Sequence, residues 1–120
     1  MTPDPSRVAD YLRHILEAIS RIGEYTDAIS EGDFCSSRIV QDAVIRNLEV
    51  IGEAARNIEL HGSGLPGIRD EIPLRDVYLM RNRLAHGYFS IDLSIVWNTV
   101  TRDVPVLRNQ VQKIYDRLVV

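Results

Sequence analysis

The chain has 120 residues, of which 45% are hydrophobic and 26% charged, and its formal net charge is −3 at pH 7. This length favours a single domain that spans residues 1–120, and the composition is typical of an ordinary globular protein. The acidic balance argues against a general nucleic-acid binder, because neutralisation of phosphates supplies most non-specific affinity. Any contact with nucleic acid must therefore come from a local basic site, or from a site formed where two chains meet.

Three features of the sequence bear on the compartment. No apolar run approaches the roughly 20 residues that a bilayer-spanning helix needs. Residues 1–6 lack the basic and then apolar pattern of a secretory signal. The single cysteine, Cys35, leaves no internal disulfide and no metal cluster, and we expect its side chain to be at least half buried. These features predict a cytoplasmic protein with no membrane contact.

Apolar residues recur every three or four positions through almost the whole chain, and alternating strand-like patterns are missing. A first helix is predicted from a cap at Asp4 or Ser6, with Pro5 tolerated in its first turn. We expect this helix to fade over residues 26–29. Residues 30–33 then read as a turn.

A second long helix is predicted from Ser36 or Ser37, either of which can cap it, to Leu60. Its apolar surface is wider than one narrow stripe, which indicates a helix packed on two sides, either in the middle of the bundle or at a subunit contact. Gly52 costs this helix about 1 kcal/mol relative to alanine. A close approach of a neighbouring element is therefore expected at Gly52.

The clearest loop covers residues 61–67, which include three glycines and one proline. A third helix is predicted over residues 74–86, with Gly87 as its stop signal. Asp92 is a strong cap for the last helix, whose periodic pattern contains Pro105 and should be kinked or divided there. The short connections predict an all-α antiparallel bundle of four to five helices.

Unusual chemistry is concentrated at the end of the third helix, where Arg81, Asn82, Arg83, His86 and Tyr88 fall within eight residues. Histidine is the side chain best suited to proton transfer near neutral pH, and the planar fork of arginine holds phosphate. These groups fit phosphoryl transfer without a metal, as when RNA is cleaved by its own 2′-hydroxyl. Arg83 is interpreted as a solvated or RNA-steering charge.

Helical geometry sets a condition on this motif. Asn82 and His86 are four residues apart and share a helix face. Arg81 and His86 are five apart, so their directions differ by about 140° on an ideal helix. They converge only if the arginine reaches around, if the helix unwinds at residues 85–87, or if a second chain completes the site. A symmetric dimer would also double the local positive charge.

The pattern Arg-x4-His-x-Tyr, here Arg81, His86 and Tyr88, resembles that of the HepT-like branch of the HEPN superfamily. The resemblance covers about residues 7–115 and departs from the family at Leu74, where members often carry tryptophan. The further matching segments, in family order, are residues 41–48, 51–55, 71–73, 80–84 and 86–89, Asp92, and residues 96–97.

The resemblance implies an all-helical homodimer that acts as a metal-independent endoribonuclease toxin and needs no cofactor. It implies that Arg81 and His86 are catalytic, in a cleft at the dimer interface, with a tRNA or mRNA as substrate. The implied partner is an MNT-type nucleotidyltransferase antitoxin that transfers AMP to Tyr88. HEPN domains also serve as non-catalytic modules, so a dimer that only binds the nucleotidyltransferase or nucleotides is the alternative function.

Each residue of the motif also has a purely structural interpretation. Arg81 could pair with a carboxylate such as Glu53, and His86 could lie at the helix C-terminus, where imidazolium is favoured. Tyr88 could belong to the apolar core, and Asn82 could cap or bridge backbone groups. Asn82 is equally compatible with support of an active site.

The second helix carries Asp42, Arg46 and Glu53 at offsets of four and seven, which are compatible with one face. This spacing predicts a salt-bridge ladder, with support of the active site by Glu53 or Asp42 as the alternative. His14 and His61 have no partner motif and are expected at the surface.

Overall fold

The structure, a computed structural model, describes residues 4–62, 64–86 and 91–119, with the backbone alone at residues 85 and 86. Within these ranges the chain is helical and has no β-strand, which confirms the all-α prediction. The elements, in chain order, are α1 (Pro5–Thr26), α2 (Glu31–Ser36), α3 (Arg38–Gly62), α4 (Ile68–Glu71), α5 (Leu74–His86), α6 (Leu93–Asn98), a π-helical turn (Thr99–Asp103) and α7 (Val104–Leu118).

Helix α1 begins as its sequence predicts. The side chain of Asp4 accepts hydrogen bonds from the backbone N–H groups of Ser6 and Arg7, and Pro5 occupies the first turn. The cap therefore satisfies N–H groups that have no partner inside the helix. The apolar face of α1 is buried against α3 and α7.

The expected turn at residues 30–33 is instead the start of helix α2, so that prediction was wrong. Ser30 and Asp33 form a reciprocal capping box, in which each side chain accepts from the other residue's backbone N–H. The helix buries Phe34 completely, with its ring centroid 5.4 Å from that of Trp97. Cys35, expected to be buried or half buried, is exposed on this short helix.

Helix α3 is the central element, packed on α1 and on α5, as the width of its apolar surface predicts. It continues to Gly62, so the predicted loop at residues 61–67 begins later than expected. A Cβ atom added at Gly62 would overlap Cγ2 of Val8 on α1. Gly67, with φ of 81°, leads into the single turn α4, which no pattern in the sequence indicates.

The last periodic segment is divided, as Pro105 predicts. Asp92 caps α6 by accepting from the N–H groups of Ser94 and Ile95. A π-helical turn then joins α6 to α7, with right-handed helical backbone at both junctions. Pro105 follows this turn, and because it has no N–H it cannot continue the helical hydrogen bonds there. On α6, Val96 is buried whereas the neighbouring Ile95 is 63% exposed.

No helix in the described ranges is both long enough and apolar enough to cross a membrane.

Because α3 and α5 touch at Gly52, a single methyl group added there should strongly affect the stability of the protein. Gly52→Ala should lower the free energy of unfolding by about 1–3 kcal/mol, because the added Cβ would overlap the side chain of Arg81. The matched control is Gly32→Ala in α2, where an added Cβ meets nothing closer than 3.7 Å. The control should be neutral or stabilising by up to about 1 kcal/mol. Urea unfolding measures both, and a Gly52→Ala protein as stable as the parent would contradict the contact.

Candidate active site around Arg81

The side chain of Arg81 leaves α5 directly against the backbone of α3. A Cβ atom added at Gly52 would overlap Cβ of Arg81, approach its Cγ within 2.9 Å and lie 3.3 Å from its Cα. Only glycine allows the two helices to come this close. The close approach expected at Gly52 is therefore confirmed, and Arg81 is the residue that approaches.

The guanidinium of Arg81 is held by two polar side chains. Nη2 lies 3.3 Å from Oε2 of Glu53, the residue after Gly52 on α3. Nη1 donates a hydrogen bond of 3.1 Å to Oδ1 of Asn82, its neighbour on α5. The side chain of Arg81 remains 35% exposed and that of Glu53 52% exposed, so the guanidinium is oriented but still open to a ligand.

The contact with Asn82 bears on how Arg81 and His86 can converge. The backbone of α5 is helical through His86, so unwinding at residues 85 and 86 does not occur. Asn82 shares a helix face with His86, and the guanidinium of Arg81 reaches toward that face. The side chain of His86, and Gly87 and Tyr88 entirely, lie outside the described residues.

The other candidates are not brought to Arg81. Asp42 is exposed on α3, eleven residues before Glu53, or about 16 Å along the helix axis. Neither Asp42 nor Arg46 takes part in an ion pair among the described residues, so the predicted salt-bridge ladder on α3 is absent there. Arg83 is exposed on another side of α5, where it lines an apolar groove.

A cavity of about 360 Å³ between α1 and α3, called here the α1–α3 cavity, was not predicted from the sequence. It extends from Arg81 and Glu53 to Arg46 on α3 and to Tyr11 and His14 on α1. His14 is exposed, as expected, but it belongs to this cavity. In the sequence, only the spacing of three between Tyr11 and His14 indicates that these two side chains share a helix face. The residues of α3 and α5 that complete the cavity lie far along the chain.

No three histidine, cysteine or carboxylate side chains in the described part of the chain are grouped closely enough to hold a metal ion.

Loss of the Arg81–Glu53 ion pair should loosen the Arg81 side chain locally and should have only a small effect on the stability of the protein. Glu53→Gln should lower the free energy of unfolding by less than about 1 kcal/mol, because the pair is partly exposed. The Arg81 side chain should become more mobile, which ¹⁵N relaxation of its Nε–H measures. A stability loss above about 2 kcal/mol would instead be typical of a buried structural pair.

The matched control is Glu59→Gln on the same helix. Glu59 pairs with Arg69, and this hydrogen bond and ion pair raise the pKa of Arg69 above its usual value. The control should leave the mobility of Arg81 unchanged.

The chain matches the family model described as ribonuclease HepT-like over residues 15–114. A protein of Thermococcus cleftensis named "Probable ribonuclease HepT" is 42% identical over 105 residues, which cover 88% of this chain and 93% of that protein. A protein of Caldanaerobacter subterraneus subsp. tengcongensis named a "putative RNase" is 32% identical over 121 residues, covering 97% of this chain and 96% of that protein.

The name of a further relative includes a second activity. It is a "gamma-glutamylcyclotransferase and putative RNase" of Methanocaldococcus jannaschii, 41% identical over 108 residues, or 90% of this chain. The match covers 47% of that protein, so this chain spans about half the length of that relative. No solved structure gives a significant match to the chain. Because the family model covers most of the sequence and two of these relatives match over nearly their whole length, the chain belongs to the HepT-like ribonuclease family of HEPN proteins.

Proposed function

We propose that this chain is the toxin of a prokaryotic toxin–antitoxin pair and acts as a metal-independent endoribonuclease. The observation that carries the proposal is the placement of the Arg81 guanidinium, which Glu53 and Asn82 orient toward the helix face of His86. Family membership supports an RNA substrate, because the matching relatives are named as ribonucleases.

The chemistry needs a proton acceptor and a cation at one phosphate. His86 takes the proton from the ribose 2′-hydroxyl, whose oxygen attacks the adjacent phosphorus. Arg81 stabilises the negative charge that builds on the non-bridging oxygens in the transition state. The 5′-oxygen leaves with a proton from solvent or from the partner chain's histidine, which produces a cyclic phosphate. DNA, which lacks the 2′-hydroxyl, is not a substrate for this reaction.

The ion pair with Glu53 is compatible with a role of Arg81 in binding phosphate. A guanidinium carries more N–H donors than the two described contacts use. The two contacts restrict the rotamers of a long side chain, so less conformational entropy is lost when phosphate binds. Glu53 and Asn82 are therefore positioning residues in this proposal, whereas Asp42 has no part in the site within one chain.

Two features support action as a homodimer. The net charge of −3 makes one chain a weak RNA binder, while two facing motifs would concentrate positive charge. An apolar groove of about 540 Å³ also runs along α5, where Met80 and Arg83 meet Ile95 and Val106 of the C-terminal helices. Ile95 is 63% exposed and Val106 56% exposed, and a second chain that covers them would stabilise the pair.

The order of the motif residues in the sequence supports inhibition by an MNT-type nucleotidyltransferase antitoxin. Tyr88 follows His86 by two residues, so AMP attached to its hydroxyl would bring a bulky anion close to Arg81. The adenylate would occupy the phosphate position and repel RNA.

Removal of either catalytic group should slow cleavage strongly without unfolding the protein. Arg81→Ala and His86→Ala should each lower the rate of tRNA and mRNA cleavage by about 10²–10⁴-fold, measured with a chelator present. The matched control, Arg75→Ala, removes an exposed arginine from the same helix and should cleave at close to the parent rate. If the folded dimeric parent leaves both RNAs intact, the enzyme proposal fails and the non-catalytic binding module remains.

The antitoxin proposal predicts one modified residue. After incubation with the partner nucleotidyltransferase and ATP, mass spectrometry should find the adenylate on Tyr88. Tyr88→Phe should abolish the label, whereas Tyr78→Phe, which alters a partly buried tyrosine of α5, should retain it. Adenylate on another residue, or no adenylate, would contradict the assignment.

A further inference from the structure

The α1–α3 cavity begins where the proposed phosphate site ends. Arg81 and Glu53 line one part of it, so a ligand bound through the guanidinium can continue into the cavity. Its volume of about 360 Å³ is near the lower end of the range for small-ligand sites, roughly 300–1,000 Å³. A cavity of this size suits a single nucleotide and not a duplex.

The α1 side of the cavity is aromatic. The ring of Tyr11 lies edge-on to His14, with centroids 6.2 Å apart, and nearly parallel to His61, with centroids 6.3 Å apart. Arg7 donates a hydrogen bond of 3.2 Å from Nε to the Tyr11 hydroxyl, which helps to fix the ring. His14 is exposed on the same wall. Aromatic side chains presented in this way are the usual platforms on which unpaired RNA bases stack.

The α3 side of the cavity is polar and includes an arginine with no ion-pair partner among the described residues. Arg46 is exposed and lies seven residues before Glu53, or about 10 Å along the helix axis. It is therefore placed for a different phosphate from the one at Arg81. Glu49 and Asn57 also line the cavity, and their oxygen and amide groups can bond to the edge of a base.

We propose that the α1–α3 cavity binds the nucleotide next to the cleaved phosphate of a single-stranded RNA. The base lies against Tyr11 and His14, and Arg46 holds the next phosphate along the strand. This inference rests on the proposed function, in which Arg81 holds the cleaved phosphate. It makes His14 and Arg46 substrate-binding residues, with no part in the proton transfer.

The test measures binding separately from cleavage. The probe is a short, fluorescein-labelled, single-stranded RNA with 2′-O-methyl groups throughout, which lacks the attacking hydroxyl. Fluorescence anisotropy of the full chain should show about fivefold or more weaker binding for both His14→Ala and Arg46→Ala. Arg46→Ala should also reduce the slope of log K against log salt by about 0.7, while His14→Ala should leave the slope unchanged.

Matched variants separate the cavity from the rest of the surface. Tyr25→Ala removes an exposed aromatic ring at the other end of α1, and Arg38→Ala removes an exposed arginine at the start of α3. Both should bind the probe within about twofold of the parent. His14→Phe, which keeps an aromatic face, should bind like the parent. In cleavage assays, His14→Ala should raise KM with little change in kcat.

Three results would overturn the proposal: unchanged binding by His14→Ala and Arg46→Ala, equal losses in the controls, or conversion of the variants to monomers. The last result, seen by size-exclusion chromatography, would assign the cavity to a subunit contact. If the parent cleaves no RNA, the proposed function fails while the anisotropy data still report on the cavity. If the parent cleaves and the two variants bind normally, only the inference about the cavity fails.

Discussion

The close contact between α3 and α5 at Gly52 is the constraint on which the site depends. Because position 52 has no side chain, Cβ of Arg81 lies against the α3 backbone, and the guanidinium meets Glu53 one residue further along that helix. The other terminal nitrogen of the guanidinium donates a hydrogen bond to Asn82, which shares a helix face with His86. A packing requirement of the bundle thus also orients the arginine that the motif supplies, and a larger residue at position 52 would disturb stability and chemistry together.

Electrostatics explain why the site must be local. A chain of net charge −3 has little general attraction for RNA, so the proposed function would depend on a few arginines that carboxylates do not fully neutralise. Arg81 is paired but accessible, and Arg46 has no ion-pair partner in the part of the chain that the structure describes. In the proposed dimer, two copies of this arrangement would double the local positive charge, while the net charge of the two chains would remain negative.

The sequence predicted most features that depend on residues close together in the chain. The Asp4 cap, the small residue needed at Gly52 and the division of the last helix near Pro105 each follow from local chemistry. At residues 30–33 the sequence predicts a turn and the structure has a helix, because a capping box and a turn use the same residue types and burial of Phe34 against Trp97 favours the helix. The α1–α3 cavity could not be predicted, since α1 and α3 supply its walls from distant positions.

A crystal structure of the His86→Ala protein with bound 2′-O-methylated RNA would show whether Arg81 holds a phosphate of the substrate. We expect a phosphate oxygen within about 2.7–3.1 Å of an Arg81 guanidinium nitrogen, while Glu53 and Asn82 keep their contacts with that guanidinium. The contradictory result is an RNA whose phosphates contact other arginines, with Arg81 bonded only to its own chain. Arg81 would then be a structural residue that joins α5 to α3.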